Sequence, residues 1–355
     1  MKHLAYTLLL FLTGFCALAQ TKADSTVFIQ GRITDAETGK PLGAANVYLN
    51  GTYLGTSTDS TGHFVLRAIK TSSPLMVSFV GYESKMTNDY LGKELVITLK
   101  PKINKLAEVV IAVDEMSRAK KMKIFLTQFI GSTNSDCTIL NPDDIWLHYN
   151  KKTDVLTAGA DKPLLIANKT LGYKVTYFLD TFRYAEAATG GKLTYRGNYF
   201  FAEDTAGLRR SEIRAILKAR DDAYYGSRMH FVRVLWDEKL SKNDYKLLGI
   251  TSVSRRVNVY DEKKAKRLYE KDITGVRDDN HFHGQKYIVL PTEVAVLYQS
   301  NKHKNRDSFL TLEKDYPAVL IDSNGYFGEG IEWNGAMGDD RVGRLLPFEF
   351  QPIGK

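Results

Sequence analysis

Ser227 and His230 stand three positions apart, a spacing that sets a hydroxyl and an imidazole on one turn of a helix, the raw material of a nucleophile and its base. Acyl transfer also needs an orienting acid and an oxyanion hole, and no GxSxG elbow surrounds Ser227. The pair reads more simply as a helix N-cap followed by a packed histidine. His281 and His283 alternate behind Asp278 and Asp279, so two imidazoles on one strand face and a carboxylate such as Asp279 could converge on zinc. Gly275, Asn280 and Gly284 give the same stretch the character of a polar loop. Neither HExxH nor the HxxE of a zinc carboxypeptidase occurs. Arg209, Arg210, Arg214, Lys218 and Arg220 are the densest group of cations and the candidates for contact with an anion; a charged outer helix face is the simpler reading. Asp59 belongs to an Asp-Ser-Thr-Gly turn and has too few neighbouring oxygens for Ca²⁺. No glycine loop cradles a phosphate, so no cofactor, no metal and no catalytic residue is assigned.

These groups sit in a chain of 355 residues, 43% hydrophobic and 11% aromatic, enough apolar material for two cores. Lys2 and His3 precede an apolar run over residues 8–15, and Ala17-Leu18-Ala19 is a small-x-small cleavage site before Gln20. Residues 1–19 therefore read as a signal peptide, too short to cross a bilayer, which takes about 20 residues. Phe15 stands where a lipidation signal before Cys16 resembles Gly or Ala, which argues against a lipoprotein. Removal of the leader leaves Cys137 as the lone cysteine, so no internal disulfide is expected. No later segment reads as a transmembrane span, and the net charge of +8 falls by one with Lys2. Export makes nucleic acid an unsuitable partner for that charge and favours envelope polymers or head groups.

Residues 27–33 alternate Val27, Ile29, Gly31 and Ile33 against Phe28, Gln30 and Arg32, the period of a strand with two unlike faces. Asp35, Thr38, Gly39 and Pro41 supply a turn, and Ala45, Val47 and Leu49 resume the alternation against Asn46, Tyr48 and Asn50. Asn50-Gly51 then suits a two-residue type I′ hairpin turn. Further strands are expected over 52–58, around Phe64 and Leu66, over 75–79 and 95–99, and over 109–113, seven in all.

The run from Gly31 through Thr38-Gly39-Lys40-Pro41-Leu42, Ala45-Asn46-Val47, Gly55-Thr56 and Asp59 to Phe64 resembles the carboxypeptidase-D regulatory-like domain. That resemblance implies a transthyretin-like, seven-stranded Greek-key β-sandwich, common in envelope proteins of Bacteroidota, with no peptidase activity of its own. The region from Phe129-Ile130-Gly131 onward, with Asn168 to Tyr173 and Ala223 to Phe231, is similar to the C-terminal part of uncharacterised exported Bacteroidota proteins that carry the same sandwich.

A helix over 115–130 is expected from Ala119, Met122, Phe125, Leu126 and Phe129, as a packing element between domains. Beyond it, strands over 146–149, 155–158, 164–167, 173–179, 193–201, 247–253, 257–260, 287–290, 293–299 and 318–321 alternate with helices around Ile213 to Leu217 and after Ser227. The expected organisation is a signal peptide (1–19), a β-sandwich (20–113), a connecting helix (114–130) and an α+β domain (131–355), mainly β overall. The expected function is that of a non-catalytic exported protein, periplasmic or associated with the outer membrane or cell surface, binding an envelope protein or an anionic or carbohydrate polymer. A hydrolase with its site in the second domain, or an accessory to TonB-linked uptake, is the alternative.

Overall fold

A computed structural model describes residues 26–102, 116–131, 136–185, 192–250, 266–279 and 282–353. The leader and the strands expected over 109–113 and 257–260 lie outside them. Strands make up 44% of the described residues and helices 17%, so the fold is mostly β.

The N-terminal part is a β-sandwich. One sheet has the order β4-β1-β7, from β1 (Thr26–Asp35), β4 (His63–Ile69) and β7 (Glu94–Leu99). The other has the order β3-β2-β5-β6, from β2 (Asn46–Leu49), β3 (Gly55–Ser57), β5 (Leu75–Ser78) and β6 (Lys85–Thr87). Ile29, Ile33, Val47, Leu49, Phe64, Leu66, Val77 and Ile97 fill the space between the sheets. The alternation of hydrophobic residues thus orients every long strand. β1 and β7 run parallel with Gly31 opposite Leu95, and a Cβ on Gly31 would lie 2.3 Å from the Leu95 carbonyl oxygen. That close approach requires glycine. The loop from β2 to β3 spans residues 50–54 rather than two residues, and only Gly51 takes a positive φ (+74°). Asn50 stays outside the left-handed region, so the turn is not type I′.

Helix α1 (Arg118–Phe129) starts at Ser117, whose side chain accepts from Lys120 N–H, and buries Phe125 and Phe129. These rings enter the first core of the second domain, against Tyr177, Phe182 and Tyr195. The sheet over that core has the order β8-β11-β12-β10-β9, formed by β8 (Cys137–Ile139), β9 (Ile145–Asn150), β10 (Val155–Ala160), β11 (Leu164–Asn168) and β12 (Tyr173–Ala185). β13 (Lys192–Glu203) pairs along β12. At the outer edge of β9, Arg118 donates to the carbonyls of Ile145 and Pro142 and Lys121 to that of Leu147. Covered carbonyls deny this edge to a foreign strand.

Helices α2 (Arg210–Tyr224) and α3 (Arg228–Trp236) follow. Residues 229–235 of α3 are all buried, because Met229 faces the first core and Phe231, Val232, Val234 and Leu235 face a second. The second core is closed by two sheets. One, ordered β15-β14-β18-β19-β21, is formed by β14 (Tyr245–Ile250), β15 (Lys266–Leu268), β18 (Glu293–Tyr298), β19 (Arg306–Leu312) and β21 (Ile331–Gly335); the other, β16-β17-β20, by β16 (Thr274–Asp279), β17 (Phe282–Ile288) and β20 (Val319–Ile321). Val294, Val296 and Tyr298 face α3, while Ala295 and Leu297 are buried on the opposite side with Leu248, Ile250 and Phe309. A short helix, α4 (Glu270–Ile273), buries Ile273 in the second core. No helix among the described residues is long and apolar enough to cross a membrane.

Asp35 fixes the first turn of the sandwich: its carboxylate accepts from Glu37 N–H, Thr38 N–H and, at 2.5 Å, the Tyr82 hydroxyl. The Tyr82 hydroxyl first, and then the Thr38 amide, hold its acidity at about pH 2, against an ordinary value of 3.8. A depressed folded value contributes stability above the unfolded value and loses it as pH falls through the folded one. Tyr82→Phe should therefore lower the urea midpoint at neutral pH, and the gap from wild type should close between about pH 4 and pH 2. A gap independent of pH in that window would refute the assignment.

Candidate functional site

The sequence directs attention first to Ser227 and His230. Ser227 is the N-cap of α3, its Oγ accepting from the backbone N–H of His230 at 3.2 Å. The imidazole Nδ1 accepts from Gly226 N–H at 3.1 Å and lies 3.0 Å from the Tyr245 hydroxyl, so Nδ1 carries no proton. The rings of Tyr224, Tyr225, Tyr245 and Tyr298 surround it at centroid distances of 4.8–5.6 Å. Side-chain hydroxyl and ring are thus each bonded to other groups, and His230 is only 2% exposed. The spacing that suggested a nucleophile and base serves a helix start and an aromatic cage.

Asp279 ends β16 and pairs with Phe282 at the head of β17, which also carries His283. His281, and the side chains of Asp279 and His283, lie outside the described residues. Among those described, no group of three or more His, Cys, Asp or Glu is placed to hold a metal ion. Cys137, half-buried in β8, is similarly quiet: burial pushes its thiol up to about 11.

The cation cluster divides. Arg220 is buried on the inner side of α2, donating to the carbonyls of Leu171 and Gly172 and to Glu203 at 2.6 Å, its guanidinium 3.9 Å from the Tyr173 ring centre. Arg209 closes the start of α2 by a two-pronged bond to Glu212. Arg210, Arg214 and Lys218 remain on the exposed outer face.

The most heavily bonded region is one the sequence reading passed over, the junction between the sandwich and the second domain. Gly51 N–H donates to Tyr199 C=O at 2.7 Å, and Phe201 N–H to Thr52 C=O at 2.9 Å. The Asn50 side chain accepts from Tyr199 N–H at 2.9 Å. The tip of the β2–β3 hairpin is thereby added to the open edge of β13, in the manner of an extra strand. On its other side Phe348 N–H donates to Gly51 C=O at 2.9 Å, and the Phe348 ring occupies the space a Gly51 Cβ would need, 2.5 Å away. Tyr48, alternating away from the sandwich core, is buried by Phe178 and Phe200. Glu349 accepts from Tyr53 N–H while burial pushes its carboxyl pKa up, and Tyr53 Oη donates to Glu203. A second tether lies at Asp322, whose carboxylate receives Thr71 Oγ and Ser72 N–H, both at 3.0 Å.

Arginines then hold the C-terminal segment that completes the junction. Arg233 donates to the carbonyls of Asn324, Phe348 and Phe350. Arg306 and Arg344 share the buried carboxylate of Asp340. A surface cavity of about 350 Å³ lined by Glu238, Tyr269, Glu270 and Lys271 has both acids engaged, with Lys286 and with Leu240 N–H. The aromatic residues of the C-terminal glycine-rich stretch close cores: Phe327 and Trp333 pack on the second, and Tyr326 meets Phe348 edge-on.

Two outcomes are expected. Gly51→Ala should cost more in a urea melt than Gly39→Ala, although both carry the penalty of about 1–2 kcal/mol for a left-handed residue, because nothing lies within 4 Å of a Cβ at Gly39. Equal costs would show the Phe348 contact to be slack. Cys137 should react with a thiol reagent at pH 7 about 100-fold more slowly in the folded chain than in urea, as the two pH units between 9.0 and about 11 imply.

The family model of the CarboxypepD_reg-like domain matches residues 29–111, and the rest of the chain matches no family model. No curated protein matches the chain. Among solved structures, a 9R-lipoxygenase from Cyanothece is similar at 10% identity over 60% of this chain and 48% of its own, with a TM-score of 0.17, so the chain spans about half that enzyme's length. A Bacteroides fragilis protein of unknown function, described as membrane-associated, is similar at 12% identity over 87% of this chain and 95% of its own, with a TM-score of 0.18. Overlaps that low say nothing about activity. Residues 29–111 are a CarboxypepD_reg-like domain, the N-terminal β-sandwich whose hairpin tip is locked into the α+β part of the chain.

Proposed function

We propose that the chain is a non-catalytic, exported protein of the bacterial cell envelope, in which the sandwich and the α+β domain act together as a rigid scaffold for binding and assembly. The junction carries this reading. A domain that serves as a tethered, independent module keeps its turns free, whereas here residues 50–52 are fixed between β13 and residues 347–350. The two parts therefore present their outer surfaces in a constant relation, as a scaffold must. The leader-like residues 1–19 and the resemblance to exported Bacteroidota proteins support the location. The partner fitting this reading is an envelope protein or an anionic or carbohydrate polymer.

The test is to produce the full chain with a C-terminal tag in a Bacteroidota host, fractionate the cells and sequence the N-terminus. A mature chain beginning near Gln20 in the periplasm or outer-membrane fraction is expected; an uncleaved cytoplasmic chain would sink the proposal. Pull-down from envelope extract should recover a component with wild type and lose it with Gly51→Val, which opens the junction. Recovery indifferent to that substitution would remove the scaffold role.

A further inference from the structure

Arg210, Arg214 and Lys218 of α2 follow one another at every fourth position, so they share one face with a cation about every 6 Å along the axis. All three are exposed, and none makes a hydrogen bond or ion pair with a described residue. Their neighbours behave differently: Arg209, Arg220, Arg228, Arg233, Arg306 and Arg344 each have fixed oxygen partners. The arrangement also works against the helix. Like charges four residues apart repel, and cations in the first turns oppose the positive end of the helix dipole. Glu212 in the first turn is held by Arg209, and Asp221 and Asp222, three and four residues beyond Lys218, make no ion pair with the stripe. A stripe that weakens its own helix and holds no structural bond is the pattern of residues kept for a ligand.

We propose that the outer face of α2 binds a linear polyanion, one that carries a negative group at short, regular intervals, such as a polyphosphate or polyuronate chain. The stripe is one cation wide, bordered by Ser211 and Ala215 and ended by Asp221 and Asp222. A single file matches a single extended chain, whereas an anionic lipid surface is drawn to a broad field and to exposed apolar side chains. Of the large apolar residues of this helix, Ile216 and Tyr224 are buried and Ile213 and Leu217 half-buried, so none stands fully exposed to lipid. The overall charge of +8 steers such a chain toward the surface, and the stripe supplies the contacts. This deepens the binding reading above but stands apart from the location: it is tested on purified protein, so a cytoplasmic chain leaves it intact and its failure leaves export intact.

The experiment compares the full chain with R210Q/R214Q/K218Q and with K40Q/K85Q/K100Q, which removes equal charge from the exposed sandwich surface. The probes are inorganic polyphosphate, orthophosphate, and vesicles of phosphatidylcholine with phosphatidylglycerol. Wild type should bind polyphosphate, and the stripe variant should lose about tenfold or more in affinity at low salt. Its slope of log K against log salt should fall by about 2, as loss of three single-strand-like contacts implies. The sandwich variant should change little, and the stripe variant should melt at or above the wild-type temperature, since repulsion has been relieved. Equal losses in both variants would reduce the effect to net charge and overturn the proposal. So would a lower melting temperature for the stripe variant, binding of orthophosphate as tight as of the polymer, or binding of vesicles without the polymer.

Discussion

Residues 50–52 join three stretches of chain that lie far apart in sequence, and the shape of the molecule depends on that join. The bonds are mostly backbone to backbone: Gly51 gives its N–H to β13 and its carbonyl to Phe348, and Thr52 gives its carbonyl to Phe201. Buried peptide groups must find partners, and here each domain supplies what the other lacks. Gly51 is the residue on which this turns, because its φ of +74° and the nearness of the Phe348 ring leave no room for a side chain. Burial of Tyr48 under Phe178 and Phe200 adds a hydrophobic contribution to the same join.

Arginine does the rest of the fastening. Arg233 reaches three main-chain carbonyls, Arg220 two carbonyls and a carboxylate, and Arg228 the carbonyl of Met337. A planar guanidinium with five donors can meet several oxygens at once, which a lysine ammonium cannot do in a fixed plane. Asp340 Oδ1 accepts from both Arg306 and Arg344, so its buried charge meets two cations. These clamps hold the backbone on either side of β21, over residues 324–330 and 336–350, where no sheet ladder does so.

The sandwich was readable because local patterns decide it. Alternation gave β1, β2 and β4 their inner faces, Asp59 and Gly62 their turn, and Ser227 its cap. The junction was not readable, since it depends on pairs such as Asn50 with Tyr199 that no local pattern connects. Asn50-Gly51 looked like a two-residue turn because the dipeptide usually is one; in the fold the Asn50 side chain is drawn to β13, and the loop lengthens to reach it. The burial of Tyr48 was hidden in the same way: alternation sets it on the face opposite Val47 and Leu49 but cannot say that a second domain covers that face. The cations of α2 looked alike in the sequence, and only the carbonyls of Leu171 and Gly172 separate Arg220 from the others. β19 and β21 escaped notice because their polar ends blur the period.

The first core draws Phe125 and Phe129 from α1 together with Val342, Leu346 and Phe350, from opposite ends of the second domain's sequence. Chain closure over such a separation is slow, because the entropy of a long loop is lost before any contact repays it. Until residues 342–350 arrive, Phe125 and Phe129 lack part of their core and the Gly51 carbonyl lacks the Phe348 N–H. Newly made chains would pass through this state, and it is the one in which a chaperone has most to hold.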